Sequence, residues 1–270
     1  MMGSPAVVLV TGASSGIGKA CAEHLSQLGH RVYGTSRNRE VRVSGYEMLR
    51  MDVTQERSVS GGIDRILEIE GKLDALVNSS GISMAGAVED TSIEEAKLQF
   101  ETNFFGTVRV CKAALPTMRQ RQAGTIVNIS SVAGIIALPF QALYSASKFA
   151  LEGFSEALRI EVAPFGIRVV LVQPGDFSTN LTANRVRARA SRSNPAYRER
   201  FERTLEIMER AEREGPDPAC VAILVGKLIR RQAPSLRNPV GMFSQRMAVA
   251  AKRVLPAGCF EWLLRKKYEL

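Results

Sequence analysis

The sequence predicts an α/β fold in which a doubly wound parallel sheet is covered by helices on both faces. Three observations support this prediction. Short β-branched runs alternate with helix-length amphipathic segments, a glycine-rich turn follows the first run, and the composition is ordinary for a globular protein, with 45% hydrophobic and 23% charged residues. Such alternation implies right-handed crossovers between parallel strands. Although 270 residues could form two domains, we expect a single domain over residues 1–270.

The elements follow in order along the chain. Strands are predicted at residues 6–10, 31–36, 73–78, 125–130 and 168–173. Helices are predicted at residues 17–28, 55–70, 93–121 and 145–163. Gly29 suits the end of the first helix, and Pro164 with Gly166 ends the last one. Gly61 and Gly62 weaken the prediction of the second helix.

The alternation stops after Pro174 and Gly175. Residues 180–214 carry alternating charges with sparse apolar positions, which predicts a mobile loop followed by an exposed helix. Five prolines then divide the last third of the chain into short helical pieces: Pro216, Pro218, Pro234, Pro239 and Pro256. Residues 176–270 are therefore expected to form a loop and a helical C-terminal extension.

The apolar runs and the cysteines indicate where the protein is located and whether it binds a metal. No apolar run approaches the roughly 18 residues of a membrane span, and the apolar residues 6–10 are too short for a signal segment. We therefore expect a cytoplasmic protein. The four cysteines are far apart and show no metal-ligand spacing: Cys21, Cys111, Cys220 and Cys259. We expect reduced packing residues and no metal site.

The net charge of +9 is concentrated near the C-terminus. Residues 227–270 contain ten Lys or Arg against Glu261 and Glu269. A solvated basic face and a peripheral contact with an anionic membrane both fit this pattern, the second because aromatic and aliphatic residues stand among the cations around Trp262. A nucleic-acid partner is not expected, since the chain shows neither base-stacking aromatics nor a DNA-reading element.

The turn after the first strand predicts a Rossmann-type dinucleotide site. Residues 7–10 lead into Thr11-Gly-Ala-Ser-Ser-Gly-Ile-Gly18, and a helix follows. Backbone N–H groups and the helix dipole at such a turn can bind a pyrophosphate, while the glycines permit the turn and a close approach. The predicted cofactor contacts are Gly12, Ser14, Ser15, Gly16, Ile17 and Gly18.

The end of the second strand predicts which cofactor is accepted. The segment reads Gly34-Thr-Ser-Arg-Asn-Arg39, and no acidic residue occurs before Glu40. A carboxylate there would bind a ribose 2′-hydroxyl, whereas Arg37 offers a planar fork to a 2′-phosphate and Ser36 leaves room for it. We therefore predict NADP(H), with contacts from Ser36 and Arg37.

Tyr144 and Lys148 share a helix face at the spacing i, i+4. A tyrosine has an ordinary pKa of about 10, and a nearby ammonium favours the phenolate. Lowering the pKa by two units takes about 2.7 kcal/mol of differential interaction. Since Tyr and Lys are common residues, the pair gains weight only from its surroundings.

With these motifs in order, residues 7–181 resemble the short-chain dehydrogenases/reductases. Thr11–Gly18 resembles the family's cofactor motif, and Asp52, followed by Val53, is similar to its adenine-binding Asp. Asn78-Ser-Ser-Gly81 resembles its Asn-Asn-Ala-Gly element, with serine at two positions. Pro174 and Gly175 with Thr179 resemble its nicotinamide-binding segment. The resemblance implies that all of these residues contact the cofactor.

The resemblance also implies a catalytic set of Asn103, Ser131, Tyr144 and Lys148. Ser130 stands beside Ser131, and the family's spacing of thirteen residues before the tyrosine selects Ser131. In the implied reduction, a hydride reaches a carbonyl carbon while Tyr144 protonates the oxygen and Ser131 hydrogen-bonds it. Lys148 would lower the pKa of Tyr144 and anchor the nicotinamide ribose, and Asn103 would hold a water leading to Lys148. A catalytically silent NADPH-sensing regulator is the alternative, although all four catalytic positions are present.

Residues 144–159 resemble the branch of that family that contains type 1 17β-hydroxysteroid dehydrogenase and the retinol dehydrogenases. This implies a bulky, hydrophobic, steroid- or retinoid-like alcohol or ketone, a substrate loop within residues 176–270, and a homodimer or homotetramer built on helices in residues 93–121 and 145–163. Five apolar residues are candidates for the pocket or for the core: Leu138, Phe140, Phe177, Leu181 and Met242.

Overall fold

The computed structural model describes residues 5–37 and 45–270. Within these residues the strands are β1 (Val7–Val10), β2 (Arg31–Ser36), β3 (Glu47–Arg50), β4 (Ala75–Asn78), β5 (Met84–Ala85), β6 (Gly124–Ile129), β7 (Ile167–Pro174), β8 (Val186–Arg187) and β9 (Arg237–Val240). The α-helices are α1 (Gly16–Gln27), α2 (Glu56–Glu70), α3 (Ile93–Phe100), α4 (Gly106–Gln120), α5 (Ala142–Val162), α6 (Arg198–Arg213), α7 (Ala219–Arg230), α8 (Phe243–Val254) and α9 (Ala257–Tyr268).

Seven parallel strands form the central sheet in the order β3-β2-β1-β4-β6-β7-β9. The chain runs outward from β1 to β3 and then returns to the other side at β4, so the order reverses between β1 and β4. In a doubly wound sheet this reversal opens a crevice at the carboxyl ends of the strands, where ligands bind. The doubly wound single-domain fold predicted from the sequence is confirmed.

Two hydrophobic layers cover the sheet because successive side chains of a strand point to opposite faces. Leu9 and Leu76 pack with α2 and α4 on one face, whereas Val8 and Val10 pack with α1 and α7 on the other. All four side chains are fully buried. The strands therefore hold the loops at their carboxyl ends in fixed positions.

The predicted strands are all present, and their ends differ from prediction by up to two residues. The edge strands β3 and β9 were not predicted, since their charged and proline-containing sequences lack the β pattern and form strands by pairing with β2 and β7. Helix α2 runs unbroken through Gly61 and Gly62. The helix predicted at residues 93–121 is interrupted by a π-helical turn at Glu101–Phe105.

The prediction for residues 180–214 was wrong in part. The loop contains β8, which pairs with β5, and α6 buries one face through Phe201, Leu205 and Met208. The short helical pieces predicted after residue 214 are α7, α8 and α9, and strand β9 lies between α7 and α8. Of the cysteines, Cys21 and Cys111 are buried as expected, whereas Cys220 and Cys259 are exposed, so the packing role predicted for these two was wrong.

None of the described helices combines the length and the apolar character needed to cross a membrane.

Candidate active site

A cavity of about 800 Å³ opens at the carboxyl ends of β1, β4, β6 and β7. Almost every residue proposed for the site from sequence lines it: Gly12, Ser14, Ser15, Gly16, Ile17, Gly18, Ser36, Arg37, Asp52, Val53, Asn103, Ser131, Tyr144, Lys148, Pro174, Gly175 and Thr179. The tertiary fold therefore brings together motifs from seven separate parts of the chain. Asn78 is the exception.

The glycine turn is shaped for a close approach of its backbone to a ligand. Gly12 has a φ of +67°, which favours glycine, and a Cβ there would lie 3.0 Å from the Cα of Ser80. A Cβ on Gly18 would lie 2.3 Å from the carbonyl oxygen of Gly12, so α1 starts directly against the turn. Ser15 forms no side-chain cap, which leaves the first N–H groups of α1 available to an anion.

Thr11 connects the turn to the loop after β4. Its hydroxyl accepts hydrogen bonds from the backbone N–H groups of Ser79 and Ser80, at 3.0 and 3.1 Å. Ser79 and Ser80 line the cavity, whereas Asn78 lies behind it and donates to Oδ1 of Asn128 at 2.9 Å. The structure thus places Asn78 as a brace between β4 and β6. Its neighbours Ser79 and Ser80 face the cavity instead.

The residues expected from sequence to contact the adenosine lie at the carboxyl ends of β2 and β3. Asp52 accepts hydrogen bonds from the backbone N–H and the hydroxyl of Thr54, at 3.0 and 2.8 Å, which fixes its carboxylate at the cavity wall. Ser36 and Arg37 line the same end. Residues 38–40, which belong to the predicted cofactor-selecting segment, lie outside the described residues.

Asn103 projects inward from the π-helical turn between α3 and α4. Its Oδ1 accepts from the backbone N–H of Ile82 at 2.8 Å, and its Nδ2 donates to the carbonyl of Ile82 at 3.0 Å. The same Nδ2 lies 3.3 Å from Oγ of Ser147. The wider turn directs this buried amide toward the cavity, a role for which single π-helical turns are well suited.

Ser131 and Tyr144 form the polar pair at the centre of the cavity. Ser131 follows β6; its hydroxyl accepts from the N–H of Ala133 at 3.0 Å and donates to the carbonyl of Pro174 at 3.4 Å. Ser131 and Tyr144 both line the cavity, and the Ser131 side chain acts to lower the pKa of Tyr144. Ser130 is also buried, but its hydroxyl is directed at Gly134, where an added Cβ would lie 2.8 Å from Oγ. The geometry therefore favours Ser131, the residue that the spacing selects.

The pKa values of Tyr144 and Lys148 differ from the expectation based on sequence. Burial raises the pKa of Tyr144, and the hydrogen bond with Ser131 opposes this rise. Burial also lowers the pKa of Lys148 from 10.5 to about 8, with Glu152 acting in the opposite direction. Lys148 Nζ donates to the carbonyl of Ile129 at 2.9 Å and lies 5.9 Å from the centre of the Tyr144 ring. The structure therefore raises the tyrosine pKa, whereas the sequence analysis expected a lowered one.

Comparisons with known proteins agree with this geometry. The model of the family "short chain dehydrogenase" matches residues 6–190. The chain is a member of the short-chain dehydrogenase family.

Several relatives of this family are similar over nearly their whole length. A 3-ketodihydrosphingosine reductase of Bacteroides thetaiotaomicron is 44% identical, over 98% of this chain and 99% of that protein. The dehydrogenase/reductase SDR family member 7B of Xenopus tropicalis is 34% identical, over 92% of this chain and 86% of that protein. A short-chain dehydrogenase structure from Streptomyces avermitilis is 36% identical, with a TM-score of 0.83 and 96% of each chain covered.

Like its relatives, this short-chain dehydrogenase is an oxidoreductase, and its cavity fits a nicotinamide dinucleotide. One solved structure similar to it is ElxO with NADP bound, which is 28% identical with a TM-score of 0.73 and covers 87% of this chain and 97% of that one. The fit rests on the start of α1, where Gly16, Ile17 and Gly18 line the cavity and no side-chain cap occupies their backbone N–H groups, which can therefore bind a pyrophosphate. Across the cavity, Thr179 lies close to Gly16: a Cβ on Gly16 would lie 3.5 Å from that of Thr179.

Apolar side chains line the substrate end of the short-chain dehydrogenase cavity. Leu138, Phe177 and Leu181 line it, as the sequence analysis proposed. Phe140 packs instead against Phe201, with 5.6 Å between ring centres, and Met242 precedes α8 outside the lining. The cavity can therefore hold a hydrophobic ligand beside Tyr144.

Three charged residues at this end were missed by the sequence analysis. Asp176, Arg185 and Glu212 all line the cavity. Asp176 accepts a hydrogen bond from Nε2 of Gln245 in α8, and burial raises the pKa of its carboxyl. The signal available in the sequence was the dense alternation of charge in residues 180–214, which is more typical of a solvated surface.

Proposed function

We propose that the chain is an NADPH-dependent reductase of a long-chain ketone, with Tyr144 as the general acid. The observation that carries the proposal is the placement of Ser131, Tyr144 and Lys148 in the same cavity as the glycine turn. A bound NADPH supplies the hydride for the carbonyl carbon. Tyr144 gives its hydroxyl proton to the carbonyl oxygen, and Ser131 hydrogen-bonds that oxygen as negative charge develops.

The protonation states of the buried pair favour reduction. A tyrosine whose pKa is raised by burial keeps its proton at neutral pH and can act as an acid, whereas alcohol oxidation needs the phenolate. Lys148, with a pKa of about 8, is mostly an ammonium at neutral pH and can hydrogen-bond a ribose hydroxyl. The water that the family resemblance assigns to Asn103 would complete the path to Lys148.

The catalytic assignment is tested with Tyr144→Phe. General acid catalysis typically contributes about 10²- to 10⁴-fold to a rate, so turnover should fall by at least a hundredfold. The assay follows the absorbance of NADPH, and cofactor binding is measured separately by fluorescence to show that the site is intact. If Tyr144→Phe binds NADPH and retains more than a few per cent of wild-type turnover, Tyr144 is not the acid.

The preference for NADPH is supported by Arg37 and Ser36 at the adenosine end of the cavity. Replacing Arg37 with Ser should reduce kcat/KM for NADPH by about 10- to 100-fold, because a charge-assisted hydrogen bond contributes about 1.5–3 kcal/mol. The value for NADH should stay within about twofold. Ser36→Asp should go further and reverse the preference, since a carboxylate repels a 2′-phosphate. Equal losses with both cofactors would contradict this role for Arg37.

The proposed substrate is 3-ketodihydrosphingosine or a similar long-chain amino ketone. The support is the similarity to the reductase from Bacteroides thetaiotaomicron over both full chains, together with the apolar lining beside Tyr144. The steroid- or retinoid-like ligand expected from sequence stays a second prediction, which the same apolar lining fits. Oxidation of NADPH in the presence of each class of ketone separates the two.

An oligomer is proposed from the apolar residues left exposed on the π-helical turn before α4 and on α5. Phe105, Phe149 and Ile160 are 46%, 44% and 73% exposed. A homodimer or homotetramer that covers them would remove this apolar surface from water. Light scattering coupled to size exclusion should report a multiple of the 29.5 kDa chain, and Ile160→Lys should shift the population toward monomer.

A cytoplasmic location with peripheral membrane contact is proposed from α8 and α9. Phe243 and Trp262 are 75% and 59% exposed, and Arg246, Arg265 and Lys266 stand close to them in sequence. Such a mixed surface suits the interface of an anionic bilayer. The protein should pellet with anionic liposomes at physiological salt and remain in solution with neutral ones. Failure to pellet would leave the basic residues as a solvated face.

A further inference from the structure

Three large apolar side chains stand at the edge of the cavity. Among the described residues, the exposed large hydrophobic side chains that also line the cavity are Leu98, Leu181 and Val186, which are 49%, 36% and 37% exposed. A side chain that lines a cavity and also reaches solvent lies where the cavity opens. Single exposed apolar residues are common on any protein surface, but these three share one cavity. We call them the apolar rim.

The backbone just before β5 connects Leu98 with Val186. The N–H of Val186, in β8, donates to the carbonyl of Ser83 at 2.9 Å. Leu98 precedes Gln99, a fully buried residue of α3 whose Nε2 donates to the carbonyl of Ile82 at 2.9 Å. Successive carbonyls of an extended chain point to opposite edges, so Leu98 and Val186 stand on opposite edges of the same backbone segment. Ile82 and Ser83 line the cavity between them.

Leu181 belongs to the loop after β7, which is held against the same segment. The side chain of Arg185 is only 2% exposed, forms an ion pair with Glu212 of α6 and places Nε 3.4 Å from Oγ of Ser83. Earlier in this loop Phe177 also lines the cavity and is buried, whereas Leu181 is exposed. The loop therefore carries apolar side chains from the closed part of the cavity to its edge.

The size of the cavity indicates that a long ligand has to leave it. The cavity measures about 800 Å³, and pockets that bury a single drug-sized ligand measure about 300–1,000 Å³. Here the same space has to hold a dinucleotide and the ketone together, so a long alkyl chain does not fit entirely inside. An apolar edge allows the chain to leave while part of its surface stays out of water.

We propose that the alkyl chain of the ketone leaves the cavity over the apolar rim, and that Leu98 and Val186 select substrates by the length of this chain. This inference rests on the proposed reduction of a long-chain ketone and names the residues that bind its tail. With the carbonyl at Tyr144, the first methylene groups lie inside the cavity and the later ones cover the rim. Each methylene that reaches the rim removes apolar surface from water on both partners.

The rim is tested with 3-ketodihydrosphingosine and homologues of it that have shorter alkyl chains, each assayed below the concentration at which it forms micelles. The measured quantity is the ratio of kcat/KM between the longest and the shortest homologue. In the wild-type enzyme, kcat/KM should rise about two- to fourfold for each methylene that reaches the rim, since complete burial of one methylene contributes about fourfold.

Two conservative replacements make the rim more polar. Leu98→Gln keeps a good helix former in α3, and Val186→Thr keeps a β-branched residue in β8. Each should lower the ratio by about 3- to 10-fold, which is the loss expected when half of the burial energy of a Leu or Val side chain is removed. Because the ratio compares two substrates of one variant, a general loss of active protein does not change it.

The control variant is Ile93→Gln, which changes an apolar residue of α3 that is 65% exposed and lies outside the cavity lining. Its ratio should equal that of wild type. The proposal is overturned if both rim variants keep the wild-type ratio, or if wild-type kcat/KM is no higher for the longest homologue than for the shortest. A raised KM for NADPH in Leu98→Gln with an unchanged ratio would assign Leu98 to the cofactor and also overturn it. If no homologue supports oxidation of NADPH, the proposed function itself fails, and the rim proposal fails with it.

Discussion

Replacing Lys148 with Met should stabilise the cofactor-free protein while it abolishes activity. Lys148 is only 6% exposed, and burial lowers its pKa from 10.5 to about 8. A shift of this size corresponds to about 3 kcal/mol of differential interaction between the amine and the ammonium. At pH 7 the folded protein contains the ammonium and is less stable by that amount, whereas a buried Met carries no such cost.

The gain is offset in part by a lost hydrogen bond. Lys148 Nζ donates to the carbonyl of Ile129 at 2.9 Å, and leaving a buried acceptor without its donor costs about 1–3 kcal/mol. The net increase in the free energy of unfolding is therefore at most about 2 kcal/mol. For a chain of this size it should raise Tm by up to about 6 °C at pH 7.

The pH dependence identifies the cause. The pKa of Lys148 is lower in the folded than in the unfolded protein, so the unfolded chain binds more protons between about pH 8 and 10.5. Wild-type stability should rise through this range, and the advantage of Lys148→Met should shrink with it. Thermal unfolding is followed by circular dichroism at four pH values without cofactor.

The matched control is Lys112→Met. The Lys112 side chain is 67% exposed, so folding leaves most of its ammonium in water. This variant should unfold within about 1 °C of wild type. A Lys148→Met protein that is less stable than wild type at pH 7, or an advantage that is constant up to pH 10.5, would refute the reasoning.

Three further replacements test the site and the core. Glu152→Gln should lower the pKa of Lys148 further, because the charge of Glu152 raises it, and should move the alkaline limb of the kcat/KM profile to lower pH. The control Glu156→Gln should leave the limb in place, since Glu152 and Glu156 both pair with Arg237 but only Glu152 acts on the pKa of Lys148. Gly18→Ala should cost more than about 2 kcal/mol and weaken NADPH binding, since its Cβ would lie 2.3 Å from a backbone oxygen. Leu25→Ala, at a fully buried position, should cost about 2–5 kcal/mol in urea unfolding.

For each of these three predictions, one result would contradict it. If the alkaline limb of the kcat/KM profile lies at the same pH in Glu152→Gln and Glu156→Gln, the charge of Glu152 does not act on Lys148. Wild-type affinity for NADPH in Gly18→Ala would mean that the glycine turn can open at little cost. A loss below about 1 kcal/mol in Leu25→Ala would mean that α1 and α7 repack around the missing side chain.

The parts of the candidate site that depend on local sequence could be proposed from the sequence, and they line one cavity in the structure. Gly12 and Gly18 stand in a turn whose conformation needs glycine, and Tyr144 and Lys148 are one helical turn apart whatever the rest of the fold does. The choice of Ser131 over Ser130 rested on spacing alone; in the structure the Ser131 side chain acts on the pKa of Tyr144, whereas the Ser130 hydroxyl is directed at Gly134. Local geometry carries these predictions because neighbouring residues in a turn or helix hold nearly fixed relative positions.

The parts that depend on long-range packing were missed or misplaced. Asn78 lies behind the cavity because it braces Asn128 on the neighbouring strand, 50 residues away. Arg185 and Glu212 meet across a loop whose charges are those of a solvated surface, and Asp176 is held by a helix near the C-terminus. None of these contacts follows from periodicity.

The sequence by itself determined the doubly wound sheet, the glycine turn and the spacing of Tyr144 and Lys148, since hydrophobic alternation, glycine and helical spacing act over a few residues. Tertiary structure alone decided that residues from 180–214 line the cavity, that burial raises the pKa of Tyr144 and lowers that of Lys148, and that Asp176, Arg185 and Glu212 meet at the same cavity. Burial and the meeting of distant charges are properties of the packed chain, because the desolvation of a group depends on everything that surrounds it.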